Sequence, residues 1–230
     1  EKHIQHNLDD GNFVFKNIDL NDIDALSKVF EENQIIRVYH FAANSDIQLG
    51  SEKIETDLNS TFLTTFHVLS CMKQYKVNEI IFASTSAVYG ELNELLSEGT
   101  GPLFPISLYG AAKLASEGYL SAFYENYGMR AWIVRFPNVI GWRLTHGVLY
   151  DFLNRLEKDK SELKVLGDGK QSKPYLYIDD LVKAIDCVHK NSQEKINCFN
   201  VSANSLTTVG QIAEIVIQKL GLKDTKIFNA

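Results

Sequence analysis

Tyr109 and Lys113 lie four residues apart in the run Tyr109-Gly110-Ala111-Ala112-Lys113, a spacing that sets both on one face of a helix. A phenol ordinarily ionises near pH ~10, and a fixed cation beside it favours the phenolate. The pair can therefore exchange a proton with a substrate hydroxyl near neutral pH. A third group, the Thr85 hydroxyl, closes the run Ile80-Ile81-Phe82-Ala83-Ser84-Thr85 and can orient the oxygen that reacts. With ten tyrosines in 230 residues, about one Tyr and Lys pair at this spacing is expected by chance, so spacing alone describes an ordinary helix surface. Position changes its meaning. The pair opens a helix shortly after a strand, and the carboxyl ends of parallel strands are where open α/β sheets hold ligands.

Other elements must place these groups. Residues 13–19, 35–43 and 79–85 read as strands, and 23–32 as an amphipathic helix capped by Asn21 or Asp22. Residues 51–75 read as one long helix, with Phe62, Phe66 and Leu69 at helical spacing. A strand over 131–136 ends at Pro137, which exposes Asn138 at the sheet's carboxyl edge. Beyond it come a helix over 148–159, a strand over 163–166 closed by Gly167-Asp168-Gly169, and a strand over 175–178. A helix follows over 181–189, where Asp179 and Asp180 suit the positive N-terminus. Residues 198–201 and a last helix over 207–220, capped by Thr207 or Thr208 and stopped by Gly221, complete the pattern. The expected class is α/β, a doubly wound parallel sheet over residues 1–140 with a smaller lobe over 141–230 that returns to the core sheet.

Composition narrows the partners. A chain that is 45% apolar and 23% charged can bury a core as one large domain or one domain with a small lobe. Its net charge of -6, without clustered Lys and Arg, gives no footprint for nucleic acid. Three scattered cysteines, Cys71, Cys187 and Cys198, lack metal-ligand spacing and argue against both a zinc site and a disulfide framework. They fit a reducing compartment, so a cytoplasmic location and no metal are expected. Apolar runs reach only strand length, so no membrane partner is expected.

Taken in order, His40-Phe41-Ala42-Ala43, the hydroxyl cluster of residues 84–90, Tyr109 with Lys113, Arg135-Phe136-Pro137-Asn138, Leu166-Gly167-Asp168-Gly169 and Tyr177-Ile178-Asp179-Asp180 resemble one family. It is the extended short-chain dehydrogenase/reductases, in their NAD-dependent epimerase/dehydratase branch. The run Thr145-His146-Gly147-Val148 leading into Asp151-Phe152-Leu153 is most similar to the members that invert C4 of UDP-hexoses. The resemblance implies a Rossmann-like fold, NAD as cofactor, a UDP-hexose as substrate and a homodimer built from two helices of each subunit. In those helices Leu63, Phe66, Leu120 and Phe123 are apolar beyond what one sheet face covers. It also implies a glycine-rich phosphate turn before Asp19 and further substrate-binding residues beyond Ala230, so more chain is expected on both sides.

Roles follow from the same resemblance. Asp19 would hydrogen-bond the adenine amino group, and Phe41, Ala42 and Ala43 would let NAD approach the backbone. Tyr109 and Lys113 would also touch the cofactor, and Phe136 would lie between nicotinamide and sugar. Thr85, Ser86 and Asn138 would meet the sugar nucleotide, with Lys173 at its diphosphate. Plainer readings stand beside these: Asp19 as a helix cap, His40 as a core residue, Asn138 as a turn former, Lys173 as a solvated loop lysine. An asparagine common in the family's next helix has no match, because its spacing falls on Thr61, with Asn59 two residues away.

Residues 86 and 87 select the reaction. Dehydratases that resemble this chain carry acids directly after the threonine, and related decarboxylases usually carry Glu at the second place; here Ser86 and Ala87 stand there. Alanine cannot move a proton. The remaining chemistry needs only Tyr109, Lys113, Thr85 and NAD: oxidation and re-reduction at one carbon, which makes the expected enzyme an isomerase. A 4,6-dehydratase, a decarboxylase, a reductase and a non-catalytic regulator that binds NAD or a nucleotide sugar remain open.

Overall fold

In the computed structural model, which describes residues 4–92 and 95–229, the chain divides into two units: Glu1–Phe136 with Ile185–Val201, and Pro137–Ala184 with Ser202–Ala230. The first holds α1 (Gln5–Leu8), α2 (Ile23–Glu32), β1 (Arg37–His40), α3 (Ile47–Glu52), α4 (Glu55–Asp57), α5 (Thr64–Tyr75), β2 (Glu79–Thr85), α6 (Leu108–Tyr127) and β3 (Arg130–Phe136). Chain order continues with β4 (Asn138–Ile140), α7 (Val148–Lys158), β5 (Glu162–Val165), β6 (Ser172–Tyr177), α8 (Ile178–Asn191), β7 (Ile196–Asn200), β8 (Leu206–Thr208), α9 (Val209–Leu220) and β9 (Lys226–Asn229).

β2 lies inside the first unit's sheet, ordered β1-β2-β3-β7 and parallel throughout. Its near-continuous apolar sequence follows from cover on both faces. On one face Ile80, Phe82, Ala131 and Ile133 pack with Leu26 and Phe30 of α2, Val68, Leu69 and Met72 of α5, and Leu120 of α6. On the other, Trp132 meets the His189 ring of α8 at 4.7 Å between centroids and donates from Nε1 to the Ser192 carbonyl at 3.0 Å. The register sets Thr85 opposite Phe136, so both reach the same carboxyl edge.

The second unit has its own core, Phe152 and Leu156 of α7, Leu163 and Val165 of β5, and Ile212, Ala213 and Val216 of α9. Its strands order as β4-β6-β8 and β5-β9, with β6 and β8 antiparallel. Thr208 and Gln211 form a reciprocal capping box at the start of α9, and Gly221 stops that helix at φ +70°.

Three expectations need correction. Residues 13–19 form no strand: the Phe13 N–H turns back to the Asp10 carbonyl, and Val14 and Phe15 face solvent. A strand-like composition without a neighbouring ladder leaves the backbone to water. The long helix over 51–75 starts earlier, at the Asp46 cap, breaks at Lys53 in extended conformation, and passes through π-helical turns at Leu58–Leu63 before α5. There the Thr64 hydroxyl reaches the Ser60 carbonyl at 3.2 Å and Thr65 the Thr61 carbonyl at 2.8 Å, competing with the helical N–H groups. The strand at 35–43 shrinks to β1.

Candidate active site

The hydroxyl cluster ends β2 in a single 3-10 turn, Ser86–Tyr89, in which Thr85 Oγ1 accepts the Ala87 N–H at 3.2 Å. Against that turn α6 begins. Ser107 caps it by accepting the Gly110 N–H at 3.0 Å, and Gly110 supplies the fit: a Cβ there would stand 2.6 Å from the Ala87 carbonyl oxygen. Any side chain at 110 would push the helix, and Tyr109 with it, off the strand end. The Thr85 hydroxyl lies close enough to the Tyr109 phenol to favour its ionised form.

Lys113 is 1% exposed, which removes the reading of a helix-surface lysine. Its Nζ donates to the Ala83 carbonyl at 2.6 Å and stands 4.6 Å from the Phe82 ring centroid and 6.0 Å from that of Tyr109. Burial lowers its pKa to about 8, with Glu117 opposing. The phenol departs from expectation: burial pushes its pKa up, the Thr85 hydrogen bond pulls it down, and the Asp57 carboxylate pushes it up again. Lys113, turned to a backbone carbonyl, does not hold the phenol below its ordinary value.

The buried ammonium has a measurable cost. Between the folded value of about 8 and the ordinary lysine value of 10.5, the unfolded chain binds a proton that the folded chain does not, so stability rises with pH across that window and the cost is fully present below it. Lys113→Met should therefore raise Tm by a few degrees at pH 7, and the gain should shrink as pH climbs through 8. A constant difference between pH 7 and pH 10 in parallel melts would contradict this account.

One turn further, Glu117 joins β2, β3 and β7. Arg135 grips it with two hydrogen bonds, Nε to Oε1 at 3.0 Å and Nη2 to Oε2 at 2.6 Å, while Ser84 Oγ donates to Oε1. Arg135 Nη1 also donates to the Tyr89 hydroxyl at 2.8 Å, which lies 2.8 Å from Asn200 Oδ1. Glu117 was not singled out in the sequence; its signal was the eighth position after Tyr109, on the same helix face.

Other expected residues fall in different places. Asp19 is exposed, and its carboxylate accepts the Asn21 N–H at 2.9 Å, while Asp22 caps α2. Phe41, Ala42 and Ala43 follow the end of β1, the first two exposed. Ser86 is exposed and Phe136 half-buried at the carboxyl edge. Asn138 and Lys173 belong to the second unit, on adjacent strands: Asn138 pairs with Tyr175 and Lys173 with Thr207, both side chains exposed. His40 is a satisfied core residue, its Nε2 3.0 Å from Thr65 Oγ1 and its pKa lowered to about 4 by burial, with Lys113 adding to the effect. Thr61 is buried and structural, accepting the Asn44 N–H at 3.0 Å, and Asn59 is exposed. Another residue that the sequence reading missed is Asp57, buried one helical turn before Thr61.

These groups fit the NAD that the resemblance implies. Lys113 Nζ carries three donors and spends one on Ala83 within the protein, leaving two for ligand hydroxyls in a dry site. Small Ala42 and Ala43 leave the backbone at the end of β1 open to close approach. Among the described residues no group of His, Cys, Asp or Glu is arranged to hold a metal ion, and no helix is long and apolar enough to cross a membrane.

Comparison with known proteins gives a consistent set. The NAD dependent epimerase/dehydratase family matches over residues 2–202. A putative UDP-glucose 4-epimerase of Methanocaldococcus jannaschii is 30% identical over 221 residues, 94% of this chain and 70% of that protein. A solved UDP-galactose 4-epimerase superposes with a TM-score of 0.84 at 34% identity, covering 97% of this chain and 76% of that one. A dTDP-D-glucose 4,6-dehydratase of Dictyostelium discoideum is 27% identical over 205 residues, 84% of this chain and 47% of that protein.

Proposed function

Because the chain belongs to the NAD dependent epimerase/dehydratase family, we propose that it serves as a nucleotide-sugar 4-epimerase, inverting C4 of a UDP-hexose through a transient 4-keto sugar. The observation that carries this reading is the turn beside Tyr109: Ser86 and Ala87 occupy it, and neither is an acid. Elimination of water across C5 and C6 needs a carboxylic acid and a base beside the sugar. Glu117 is committed to Arg135, and Asp57 is packed against Gly50. Hydride and one proton at C4 need neither.

The residues divide the work. NAD, when bound, would supply the hydride chemistry at C4. Tyr109 takes the proton of the 4-hydroxyl and later returns it. The Thr85 hydroxyl orients the reacting oxygen. Lys113 fixes positive charge behind the phenol and offers its two free N–H donors to ligand oxygens. Asn138 and Lys173 are assigned to the sugar nucleotide, Lys173 to its diphosphate, where a cation offsets phosphate charge.

The test uses the full-length protein with UDP-galactose or UDP-glucose and catalytic NAD. Interconversion of the two is expected, with no 4-keto-6-deoxy sugar and no solvent deuterium at C5. A deoxy product would replace the epimerase reading with that of a dehydratase, the reaction of the Dictyostelium relative.

A cytoplasmic homodimer completes the proposal. Along α5, α6 and the preceding π-turns, Phe62, Phe66, Tyr119, Phe123 and Tyr127 form a chain of ring contacts, 5.0 Å between the Phe62 and Tyr119 centroids and 5.1 Å between Phe123 and Tyr127. Phe66 and Tyr119 are 37% and 41% exposed, whereas Leu120 turns into the sheet core and contributes nothing outside. Phe66→Glu should give a monomer by sedimentation at micromolar concentration where the parent sediments as a dimer; a monomeric parent would remove the assignment.

A further inference from the structure

The buried Arg135 guanidinium spends its donors in two directions. Toward α6 it forks onto Glu117, Nε to Oε1 at 3.0 Å and Nη2 to Oε2 at 2.6 Å, and Ser84 Oγ donates to the same carboxylate. Toward the turn after β2 its Nη1 donates to the Tyr89 hydroxyl at 2.8 Å, with the guanidinium carbon 5.0 Å from the ring centroid. The Tyr89 hydroxyl also lies 2.8 Å from Asn200 Oδ1 and 3.0 Å from the Ser97 carbonyl oxygen. Ser84 directly precedes Thr85, and Tyr89 closes the turn that Thr85 caps. One guanidinium thus holds the Thr85 segment at both ends. Through Glu117 it also holds the helix that carries Tyr109 and Lys113.

The segment has little to hold it otherwise. Thr85 Oγ1 accepts the Ala87 N–H at 3.2 Å, and the Gly90 N–H reaches the Ala87 carbonyl only at 3.4 Å. A lone 3-10 turn with such bonds is weak, yet α6 is seated on it, with Gly110 against the Ala87 carbonyl oxygen. A buried ion pair adds little stability over apolar side chains that fill the same space. What this pair supplies beyond an apolar filling is direction, because the planar fork of Arg fixes its carboxylate in one plane. Ser84, Glu117 and Arg135 are all buried, so they act through the residues they hold.

We propose that Arg135 is a positioning residue for the reaction: through Glu117 and Tyr89 it sets the Thr85 turn and the first turns of α6 against each other, and so fixes where Tyr109 meets a substrate oxygen. The kinetic half of this statement rests on the epimerase reading; the geometric half does not. The test compares the full-length parent with Tyr89→Phe, with the charge-free Glu117→Leu/Arg135→Met, and with Arg37→Met, which breaks the ion pair to Glu79 at the amino-terminal edge of the same sheet. Urea denaturation and steady-state kinetics with UDP-galactose are followed for each. NMR of tyrosine labelled with carbon-13 at Cζ reports on the site directly, the Tyr109 signal being the one lost in Tyr109→Phe. Tyr89→Phe and the double variant should each lower kcat roughly tenfold or more while KM changes by less than about twofold. In both, the Tyr109 signal should shift or broaden, although the double variant keeps most of the parent's stability. Arg37→Met should leave kcat and the signal in place. A structural role alone makes activity follow stability, so parental kcat in Tyr89→Phe or in a folded double variant, or an equal loss in Arg37→Met, would overturn the proposal. If the parent interconverts no sugar nucleotide, the epimerase reading falls and the signal alone decides: altered in Tyr89→Phe it upholds the proposal, unaltered it overturns it.

Discussion

Replacing Tyr109 by phenylalanine is expected to lower kcat at least ~100-fold while leaving KM for the sugar nucleotide nearly unchanged. The ring stays, so the packing of α6 on the turn after β2 stays; only the phenol oxygen goes. The proton of the 4-hydroxyl then has no carrier, since Lys113 faces a carbonyl and Thr85 is a far weaker base than phenolate. Burial already holds the phenol above its ordinary pKa, so the parent's rate should rise toward alkaline pH and the variant's should not. Steady-state kinetics across pH decide the matter: turnover within tenfold of the parent would remove Tyr109 from the mechanism.

Glu117→Leu should cost about 3–5 kcal/mol of folding stability, the range for stripping one partner from a buried ion pair. Glu117 and Arg135 are 7% and 8% exposed, and the change would strand the guanidinium and leave Ser84 Oγ without its acceptor. In the double variant Glu117→Leu/Arg135→Met no charge is left in the interior, and most of the loss should return. Urea denaturation of the parent, the single and the double variant separates the two contributions. Equal stabilities of single and double variants would mean that the stranded charge is not what destabilises.

Much of the first unit was readable because local signals agree with the tertiary environment. The helix α2 begins directly after Asp22, whose carboxylate caps it, and β2 spans the apolar run that follows Asn78 and ends in the hydroxyl cluster. Sequence spacing could place Tyr109 and Lys113 on one face, but not show that the ammonium turns inward to Ala83; that depends on how closely α6 approaches β2, and hence on Gly110. The stretch from Asp46 to Tyr75 was misjudged because apolar periodicity does not register hydroxyls that take helical carbonyls, as Thr64 and Thr65 do. Asp57 escaped notice for a related reason: a charged residue reads as solvated, and only the bare backbone of Gly50, seven residues earlier in the chain, shows that there is space to bury it. Residues 13–19 are rich in Phe, Val and Ile as a strand is, yet pairing is a property of neighbours and not of the segment.

The ladder between β3 and β7 also carries a consequence for biosynthesis. Trp132 pairs with Asn197 and Ile133 with Cys198, so the first unit borrows its last strand from beyond the segment that begins the second. A nascent chain that has reached Phe136 therefore shows a nearly complete sheet whose open edge is the apolar run of β3. At cellular synthesis rates of roughly 5–20 residues per second, that edge waits for several seconds until Asn200 has cleared the ribosome. An unpaired apolar edge is a template for association with other chains, so ribosome-associated chaperones should engage this protein between the emergence of β3 and that of β7, and release it afterwards.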